Sequence, residues 1–456
     1  MINYTSLYFV GAGGIGMSAL VRYFLAKGYP VAGYDKTPSE LTEKLLAEGA
    51  EIVYDESVSL IPSYCRDARS TLVVRTPAVP DTHAGLSYFR ENGFTIVKRA
   101  ELLGLITRSS QGLCFAGTHG KTTTSSMAAH IFHQSGIGCN AFLGGILKNY
   151  DSNLILDNKS PYSIIEADEY DRSFHHLSPY MAVITATDPD HLDIYGTREA
   201  YLESFSRFTS LIRPGGCLVM HKGIAATPRT QEGVKVYEYA GNEESDFYAR
   251  NIRIGNGEIV FDFVTPREVI PDISLGVPVQ INIENGVAAM AIAWLNGIPA
   301  EAIRQAMASF KGAKRRFDYW LKTDKCVLID DYAHHPDEIR ASIQSVRALY
   351  PDKKISAIFQ PHLYSRTRDF AGDFAKALSL LDELILTEIY PAREQPIPGV
   401  TSQIILDQVT CKEKELCEKK MLLEKIKERN FEVLITLGAG DIDRLLPDIK
   451  AILETK

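Results

Sequence analysis

A glycine-rich turn between an apolar strand and a helix constrains this 456-residue chain more than any other feature. A lysine directly after the turn glycine reaches the β- and γ-phosphates of a nucleotide, and the hydroxyl that follows can ligate Mg²⁺. The turn follows the strand-like run Leu113–Ala116 and consists of Gly117, Thr118, His119, Gly120, Lys121, Thr122 and Thr123. The full P-loop pattern needs glycine at the position of Phe115. Strand, turn and helix together still predict an ATP site.

A second glycine-rich turn lies near the start of the chain, behind the strand-like run Leu7–Val10. Its glycines are Gly11, Gly13, Gly14 and Gly16. Glycines here allow a tight turn and bring backbone N–H groups to a diphosphate at the helix N-terminus. Asp35 ends the next strand, about 20 residues on, where a carboxylate can accept a ribose hydroxyl. The pattern alone is typical of NAD binding and fits the diphosphate of a UDP-sugar equally well.

Strand-like and helical segments alternate along the chain, which predicts parallel α/β sheets. A polar stretch at Thr107–Gly112 and a basic one at Lys311–Arg316 separate three such units. We therefore predict three α/β domains over residues 1–107, 108–312 and 313–456. Within them, Asn251–Val264 is typical of a β-hairpin, and Lys412–Arg429 of a solvated amphipathic helix.

Acidic segments follow two further strands of the middle unit. EADEYD begins at Glu166, and DPDHLD contains His191. Ligands of parallel sheets gather at the carboxyl ends of the strands, where carboxylates suit Mg²⁺ that bridges ATP oxygens. In isolation, EADEYD could be a solvated loop and His191 a structural histidine. Their place in the domain of a nucleotide turn favours a metal or phosphate role.

Two polar segments follow strands of the third unit. DDYAHHP begins at Asp330, and QPHLYSRTR contains His362 and Arg366. An arginine can clamp a carboxylate through two parallel hydrogen bonds, so Arg366 could fix a small amino acid or a phosphate. A surface ion pair is the alternative role for this side chain.

The composition limits where such a protein works and what it binds. The net charge is −8, so we expect neither nucleic acid nor a membrane to be bound through bulk charge. Seven scattered cysteines with no C-x-x-C pair indicate a reduced compartment. We find neither a secretory signal at the first residues nor an apolar run of about 18 residues. These features predict a soluble, cytoplasmic protein without membrane insertion.

The complete set of motifs resembles the Mur ligase family, and most closely its alanine-adding branch. Ten segments lie in the family's order over nearly the whole chain: GAGGIGMSAL, RAELLG, AGTHGKTTT, EADEYD, DPDHLD, RRF, DDYAHHPDE, FQPHLYSRTRD, PIPG and TLGAGDI. The resemblance implies an N-terminal Rossmann-like UDP-sugar domain, a central P-loop ATPase-like domain and a C-terminal Rossmann-like ligase domain. The implied reaction joins L-alanine to the carboxylate of UDP-N-acetylmuramate through an acyl phosphate, with ATP and Mg²⁺. Oligomeric state is not implied.

The resemblance also assigns roles to individual residues. Lys121, Glu166 and His191 are implied to be catalytic, and Thr122, Glu166 and His191 to ligate Mg²⁺. The ATP site is implied to include Asn282, Asn285, Arg316 and Asp331 beside the nucleotide turn. The UDP-sugar site is implied at the first glycine turn and Asp35. The residues that match the alanine pocket are Tyr332, His334, His362 and Arg366.

Three positions depart from patterns in the family. Leu363 stands where some members carry arginine, so the alanine carboxylate should depend more on Arg366. Ile281 stands where a histidine often precedes the asparagine of the adenine site. Ser206 stands where some relatives carry a modified lysine, which the alanine-adding branch generally lacks.

Three other functions are compatible with parts of the sequence. A murein-peptide recycling ligase would use the same UDP-sugar, although GAGGIGMS and QPHLYSRT resemble the alanine-adding branch. An NAD-dependent dehydrogenase would use the first turn but leaves Lys121, Glu166 and His191 unexplained. An ATP-gated binding protein would keep both turns and release no phosphate.

Overall fold

A computed structural model describes residues 3–392 and 394–456. Residues 1 and 2 of the predicted domain 1–107 lie outside the described residues. The chain forms two compact units. The first comprises Met1–Arg250, Asp262–Ile273 and Ile283–Phe310. The second comprises Asn251–Phe261, Ser274–Asn282 and Lys311–Lys456.

The N-terminal part of the first unit is a five-stranded parallel sheet. Its strands are β1 (Ser6–Val10), β2 (Val31–Tyr34), β3 (Glu51–Val53), β4 (Thr71–Arg75) and β5 (Thr95–Lys98). Its helices are α1 (Ile15–Ala26), α2 (Glu40–Ala47), α3 (Ala84–Glu91) and α4 (Arg99–Arg108). The spatial order β3-β2-β1-β4-β5 reverses direction beside β1, which is where such sheets bind ligands. The predicted Rossmann-like topology is confirmed.

Strand β1 shows why this sheet is buried on both faces. Successive strand residues point to opposite sides. Leu7 and Phe9 pack into one apolar core, which continues to Ile165 and Ile184 farther along the chain. The alternate residues of β1 pack into a second core on the other face.

The middle part of the chain contains a ten-stranded sheet. Its strands are β6 (Gln111–Ala116), β7 (Asn140–Leu147), β8 (Ser152–Ile155), β9 (Tyr162–Glu166), β10 (Met181–Ile184), β11 (Cys217–His221), β12 (Lys235–Ala240), β13 (Phe247–Gly255), β14 (Glu258–Val264) and β15 (Val269–Ser274). Its helices are α5 (Lys121–Gln134), α6 (Leu192–Tyr195), α7 (Arg198–Thr209), α8 (Ile281–Leu295) and α9 (Ala300–Ser309). The order is β15-β14-β13-β12-β11-β10-β6-β9-β7-β8, and β6 pairs in parallel with β9 and β10. The polar segments behind these three strands therefore lie at one edge of the sheet.

The predicted hairpin at Asn251–Val264 is confirmed. Strands β13 and β14 are neighbours in the sheet and are joined by Asn256 and Gly257. Both turn residues have positive φ, 52° and 71°, which is the conformation that a two-residue Asn-Gly turn requires.

The third part of the chain is a six-stranded sheet in the second unit. Its strands are β16 (Asp318–Lys322), β17 (Val327–Asp331), β18 (Ile355–Phe359), β19 (Glu383–Leu386), β20 (Glu413–Leu416) and β21 (Val433–Leu437). Its helices are α10 (Pro336–Leu349), α11 (Tyr364–Leu378), α12 (Gln403–Leu406), α13 (Leu422–Lys427) and α14 (Leu446–Glu454). The order is β16-β17-β21-β18-β19-β20, parallel except for β16 against β17. Three sheets match the three predicted α/β domains, and the positions of the domain boundaries stay a prediction.

The prediction of one helix over Lys412–Arg429 was wrong. The segment forms the edge strand β20 and then, after a turn, the six-residue helix α13. The strand pairs in parallel with β19, and this pairing outweighs the helical preference of the local sequence. Leu422 and Ile426 face the core as expected, whereas Met421 is exposed.

Among the described helices, none combines the length and the apolar character that crossing a membrane requires.

Candidate active site

The turn GTHGKTT connects β6 to α5, which begins at Lys121. Gly117 and Gly120 have φ values of 137° and 81°, which L side chains rarely adopt. A Cβ on Gly120 would also lie 2.6 Å from Asn285 Oδ1, so glycine is required twice over. The turn therefore presents the free N–H groups of a 14-residue helix, an arrangement that favours phosphate.

Thr122 and Glu166, which the family resemblance implies to be metal ligands, meet at the start of this helix. The Thr122 hydroxyl donates to Glu166 Oε1 over 2.7 Å. The second carboxylate oxygen, Oε2, is buried without a hydrogen-bond partner. A Cβ on Gly144 would overlap that oxygen, so β7 leaves the space beside it open. Hydroxyl and carboxylate oxygens are ligands that Mg²⁺ prefers, and these two residues fit that ion.

His191 follows β10 and precedes the short helix α6 in a left-handed conformation, with φ of 53°. Its ring lies 5.1 Å from the Tyr170 ring, and Nε2 lies 3.6 Å from Asp190 Oδ2. Across the described residues, no group of three or more histidine, cysteine, aspartate or glutamate side chains is arranged to hold a metal ion. The assignment of His191 as a metal ligand stays a prediction.

Sequence analysis missed Glu169 as a site residue. Its carboxylate is 2% exposed and lies 2.8 Å and 2.9 Å from Lys121 Nζ. Burial raises the pKa of the Glu169 carboxyl, and the Lys121 ammonium opposes that rise. One signal was present, because a lysine at a partly buried turn needs an anionic partner and EADEYD offers four carboxylates.

The acidic segment also contacts the N-terminal sheet. Asp168 lies 3.5 Å from Arg99, and Asp171 lies 2.8 Å from Lys98. Both basic residues stand at the start of α4. The Arg99 guanidinium in turn lies against Gly16 of the first glycine turn, where a Cβ would press on it. Arg99 is a second candidate site residue that sequence analysis missed, although it begins the family segment RAELLG.

A cavity of about 270 Å³ lies where these elements meet. Lys121, Glu166 and Asp168 line it from the middle sheet, and Gly16 and Arg99 line it from the N-terminal sheet. Apolar contacts come from Ile15, Leu103, Phe142 and Leu143. The two glycine turns thus open onto one space that has both charged and apolar walls.

The first glycine turn lies between β1 and α1, as predicted. Asp35 follows β2, and its Oδ2 accepts a hydrogen bond from the Gly13 N–H over 2.7 Å. Gly11 N–H donates to Tyr34 O, which ties the turn to the end of β2. The described contacts thus give Asp35 a part in shaping the turn. Its bond to a ribose hydroxyl stays a prediction.

The two predicted adenine-side asparagines lie on α8. Asn285 Oδ1 accepts from Thr124 Oγ1 over 3.1 Å, which places Asn285 beside the nucleotide turn. Asn282 Nδ2 donates to Val277 O over 3.1 Å. Ile281 begins the helix and is 57% exposed.

Arg316 and Asp331 lie in the second unit. Asp331 ends β17 and accepts from Ser342 Oγ over 2.6 Å and from Ala333 N–H over 3.3 Å. Burial raises the pKa of the Asp331 carboxyl, and the positive charge of Arg316 opposes this effect. The two predicted residues therefore act on each other electrostatically.

The four residues predicted for the amino-acid site form one cluster in the second unit. Ring centroids lie 5.2 Å apart for Tyr332 and His334, and 6.2 Å apart for His334 and His362. Arg366 Nη1 and His362 Nδ1 are buried without hydrogen-bond partners. Burial lowers the pKa of His362, and the charges of Arg366 and His334 lower it further. The cluster offers buried, unsatisfied nitrogens to a small anionic ligand.

Two further residues of this cluster escaped sequence analysis. The Tyr390 ring is parallel to the His362 ring at 5.8 Å, and Tyr390 O accepts from Leu363 N–H over 3.0 Å. The Arg315 guanidinium lies 5.0 Å from the Tyr332 ring. The RRF segment marked this region, but the sequence could not say which arginine faces Tyr332.

The fold and the site define a class of protein before any comparison. Three α/β sheets, a nucleotide turn with an adjacent oxygen-rich pair, and a separate cluster with buried, unsatisfied nitrogens are the parts of a multidomain nucleotide-dependent enzyme.

Comparison with known proteins narrows this class. Three family models match: "Mur ligase family, catalytic domain" over residues 6–111, "Mur ligase middle domain" over 115–293 and "Mur ligase, glutamate ligase domain" over 315–442. A UDP-N-acetylmuramate–L-alanine ligase of Parabacteroides distasonis is 65% identical, over 98% of this chain and 97% of that protein. The ligase of the same description from Phocaeicola vulgatus is 64% identical, over 99% and 98%.

Solved structures agree with these matches. The UDP-N-acetylmuramate–alanine ligase of Thermotoga maritima superposes with a TM-score of 0.80 at 27% identity, covering 99% of this chain and 98% of that one. A murein peptide ligase of Psychrobacter arcticus gives 0.64 at 19% identity, over 98% and 99%, and so shares the fold. The chain belongs to the Mur ligase family and is an ATP-dependent ligase that forms an amide bond.

Proposed function

We propose that this chain joins L-alanine to the carboxylate of UDP-N-acetylmuramate at the expense of ATP, a step in making peptidoglycan precursors. The cavity shared by the two glycine turns carries the proposal, because Lys121 and Glu166 line it together with Gly16 and Arg99. A sugar nucleotide held by the first turn would have its carboxylate beside the phosphates held by the second. The relatives that are 65% and 64% identical bear this activity in their names.

The reaction proceeds in two transfers. A muramate carboxylate oxygen attacks the γ-phosphorus of ATP, the bond to the β,γ-bridging oxygen breaks, and ADP leaves with that electron pair. The amine of L-alanine then attacks the acyl carbon, and the tetrahedral intermediate collapses with release of phosphate and loss of the amine proton. Lys121 and the N-terminus of α5 stabilise the charge on the transferring phosphoryl group. Arg99, at the opposite wall, is placed to orient the carboxylate.

We infer that Thr122 and Glu166 hold Mg²⁺, with His191 as a candidate ligand of a second ion. The hydroxyl and the unpaired Glu166 Oε2 supply the hard oxygen donors that this ion requires. When bound, Mg²⁺ neutralises phosphate charge during the transfer. The protein's own part is to hold the two oxygens at the start of α5.

The acceptor amino acid is assigned to the cluster of Tyr332, His334, His362 and Arg366. The buried, unpaired Nη1 of Arg366 is suited to the alanine carboxylate. Burial and neighbouring charge hold the pKa of His362 below its usual range, which favours the neutral ring, the form that can accept a proton from the amine. We also assign the protein to the cytoplasm, where ATP is available and where its seven free cysteines stay reduced.

Phosphate release tests the proposal. ATP, Mg²⁺ and UDP-N-acetylmuramate are mixed with L-alanine in one reaction and with the L-Ala-γ-D-Glu-meso-diaminopimelate tripeptide in another. We expect release that depends on L-alanine. Release with the tripeptide alone would assign the protein to peptide recycling, and absence of release with either acceptor would contradict a ligase function.

A further inference from the structure

The Lys121 ammonium has all its hydrogen-bonding capacity taken up by the protein. Nζ donates to Gly117 O over 2.6 Å and approaches Thr118 O at 3.4 Å. The remaining contacts are to both carboxylate oxygens of Glu169. An ammonium has three N–H donors, so a nucleotide phosphate can bind it only by displacing a present partner.

The backbone of Glu169 is held by a contact that does not involve Lys121. The Tyr195 hydroxyl donates to the Glu169 carbonyl oxygen, and Tyr195 is itself buried. The groups near Glu169 on other elements are Tyr195 of α6 and Tyr201 of α7, and Asp168 is its neighbour along the chain. Among the described contacts, Lys121 is the cation that faces this carboxylate, and the two side chains are 15% and 2% exposed.

We propose that Glu169 is a positioning residue for Lys121: its buried carboxylate holds the ammonium at the turn, and an incoming nucleotide phosphate must compete with it. The inference rests on the proposed function, because it gives Lys121 the role of a phosphate ligand. The carboxylate neutralises the lysine while the site is free of nucleotide. It also keeps the side chain in one place, which favours a defined geometry during phosphoryl transfer.

Glu169→Gln separates charge from shape. The amide oxygen still accepts a hydrogen bond from Lys121, but the competing negative charge is gone. We expect a fluorescent, non-hydrolysable ATP analogue with Mg²⁺ to bind about threefold or more tightly, while turnover falls roughly tenfold. If Glu169 served folding alone, Glu169→Gln would lower the fraction of active protein without lowering the dissociation constant of the analogue.

A double-mutant cycle with Lys121→Ala provides the decisive comparison. If Glu169 acts through Lys121, Glu169→Gln should leave analogue affinity unchanged in the Lys121→Ala background. An equal effect in both backgrounds, or no tightening in either, would overturn the proposal. Glu301→Gln, which removes an exposed carboxylate paired with Arg304 on α9, should change neither quantity.

Loss of folding in Glu169→Gln must be distinguished from a change in nucleotide binding. If Glu169→Gln unfolds below the assay temperature, Glu169→Asp replaces it, because the shorter side chain withdraws the charge by one methylene. The binding titration needs neither UDP-N-acetylmuramate nor L-alanine. If the double-mutant cycle gives the expected affinities but the protein does not add alanine, only the proposed function is rejected. If the protein adds alanine but the cycle does not give the expected affinities, only this inference is rejected.

Discussion

At the scale of single residues, the unusual feature is where buried polar atoms lack partners. Folded chains pair nearly all such atoms, so the exceptions require an explanation. Glu166 Oε2, His362 Nδ1 and Arg366 Nη1 are three of them, and all belong to residues singled out from the sequence. The proposed reaction assigns these atoms to its substrates and its ion.

Arg366→Ala should therefore act on the acceptor amino acid. We expect the KM for L-alanine to rise at least tenfold, because a charge-assisted bond to the carboxylate is lost, while the KM for ATP stays within about twofold. Steady-state phosphate release measures both constants. Arg368→Ala, on the same helix and paired with Asp369 at the surface, is the matched control. A change in the KM for ATP alone would contradict the assignment of Arg366 to the amino-acid site.

Asp330 should make the stability of the second unit depend on pH. It is fully buried, and burial raises its pKa from 3.8 to about 6, opposed by Thr436 and Arg315. The folded chain thus binds this proton more tightly than the unfolded chain. This proton's contribution to the free energy of unfolding is fully present below about pH 4. The contribution, on the order of 3 kcal/mol, is lost as the pH rises through 6.

Asp330→Asn cannot ionise and keeps an oxygen for the Thr436 hydroxyl. We expect its melting temperature, relative to that of the unsubstituted chain, to be higher at pH 7.5 than at pH 5. Thermal unfolding at both pH values measures this difference. An exposed change, Asp352→Asn, should show no such trend, and the same trend in both variants would refute the assignment to Asp330.

At the scale of elements, the segment after β9 connects the two sites proposed for the substrates. Glu166 and Glu169 contact the nucleotide turn, whereas Asp168 and Asp171 contact the start of α4. Four acidic side chains within six residues thus serve two sheets. Strand β7 completes the arrangement from the other side, since Gly144 leaves room for Glu166.

Gly144→Ala should disturb this arrangement with little change in fold. The new Cβ would overlap Glu166 Oε2 and lie 3.1 Å from Thr122 Oγ1, so the carboxylate must move. We expect turnover to fall roughly tenfold or more and the Mg²⁺ concentration for half-maximal rate to rise. Gly372→Ala on α11 is the control, because its Cβ meets only Gln408 Oε1 at 3.4 Å. Unchanged Mg²⁺ dependence would argue against Glu166 as a ligand.

At the scale of the whole molecule, the proposed binding functions are distributed over separate sheets. The first glycine turn belongs to the five-stranded sheet, the turn at Gly117 to the ten-stranded sheet, and the cluster around Tyr332 to the six-stranded sheet. Binding of one substrate should therefore survive damage to the site of another.

Lys121→Ala tests this separation. We expect phosphate release to fall at least about 100-fold, because the transferring phosphoryl group loses its main cationic contact. Binding of UDP-N-acetylmuramate, followed by calorimetry, should change by about twofold or less. Lys159→Ala, an exposed substitution in the same unit, should leave both unchanged. Near-normal turnover in Lys121→Ala would contradict the assignment of the ATP site.

Local sequence patterns were sufficient for many of the buried parallel strands and for both glycine turns. Strand β1, the turn at Gly117 and the hairpin at Asn256 depend on apolar runs and on backbone angles that few residues allow. Such signals act over a few neighbouring positions, so they can be recognised without a structure. The family resemblance added predicted roles for Asn285 and Arg366, which stay predictions.

Tertiary structure alone decided which side chains meet. The segment from Lys412 to Arg429 has a helical charge pattern, yet pairing with β19 makes its first part a strand. Glu169 was one acidic residue among four until the sheet order placed it against Lys121. Tyr390 lies against His362 because the backbones of these two residues, which are distant in the sequence, form a β-bridge. Contacts of this kind depend on how strands are ordered in a sheet, and strand order is set by burial summed over the whole domain rather than by any local pattern.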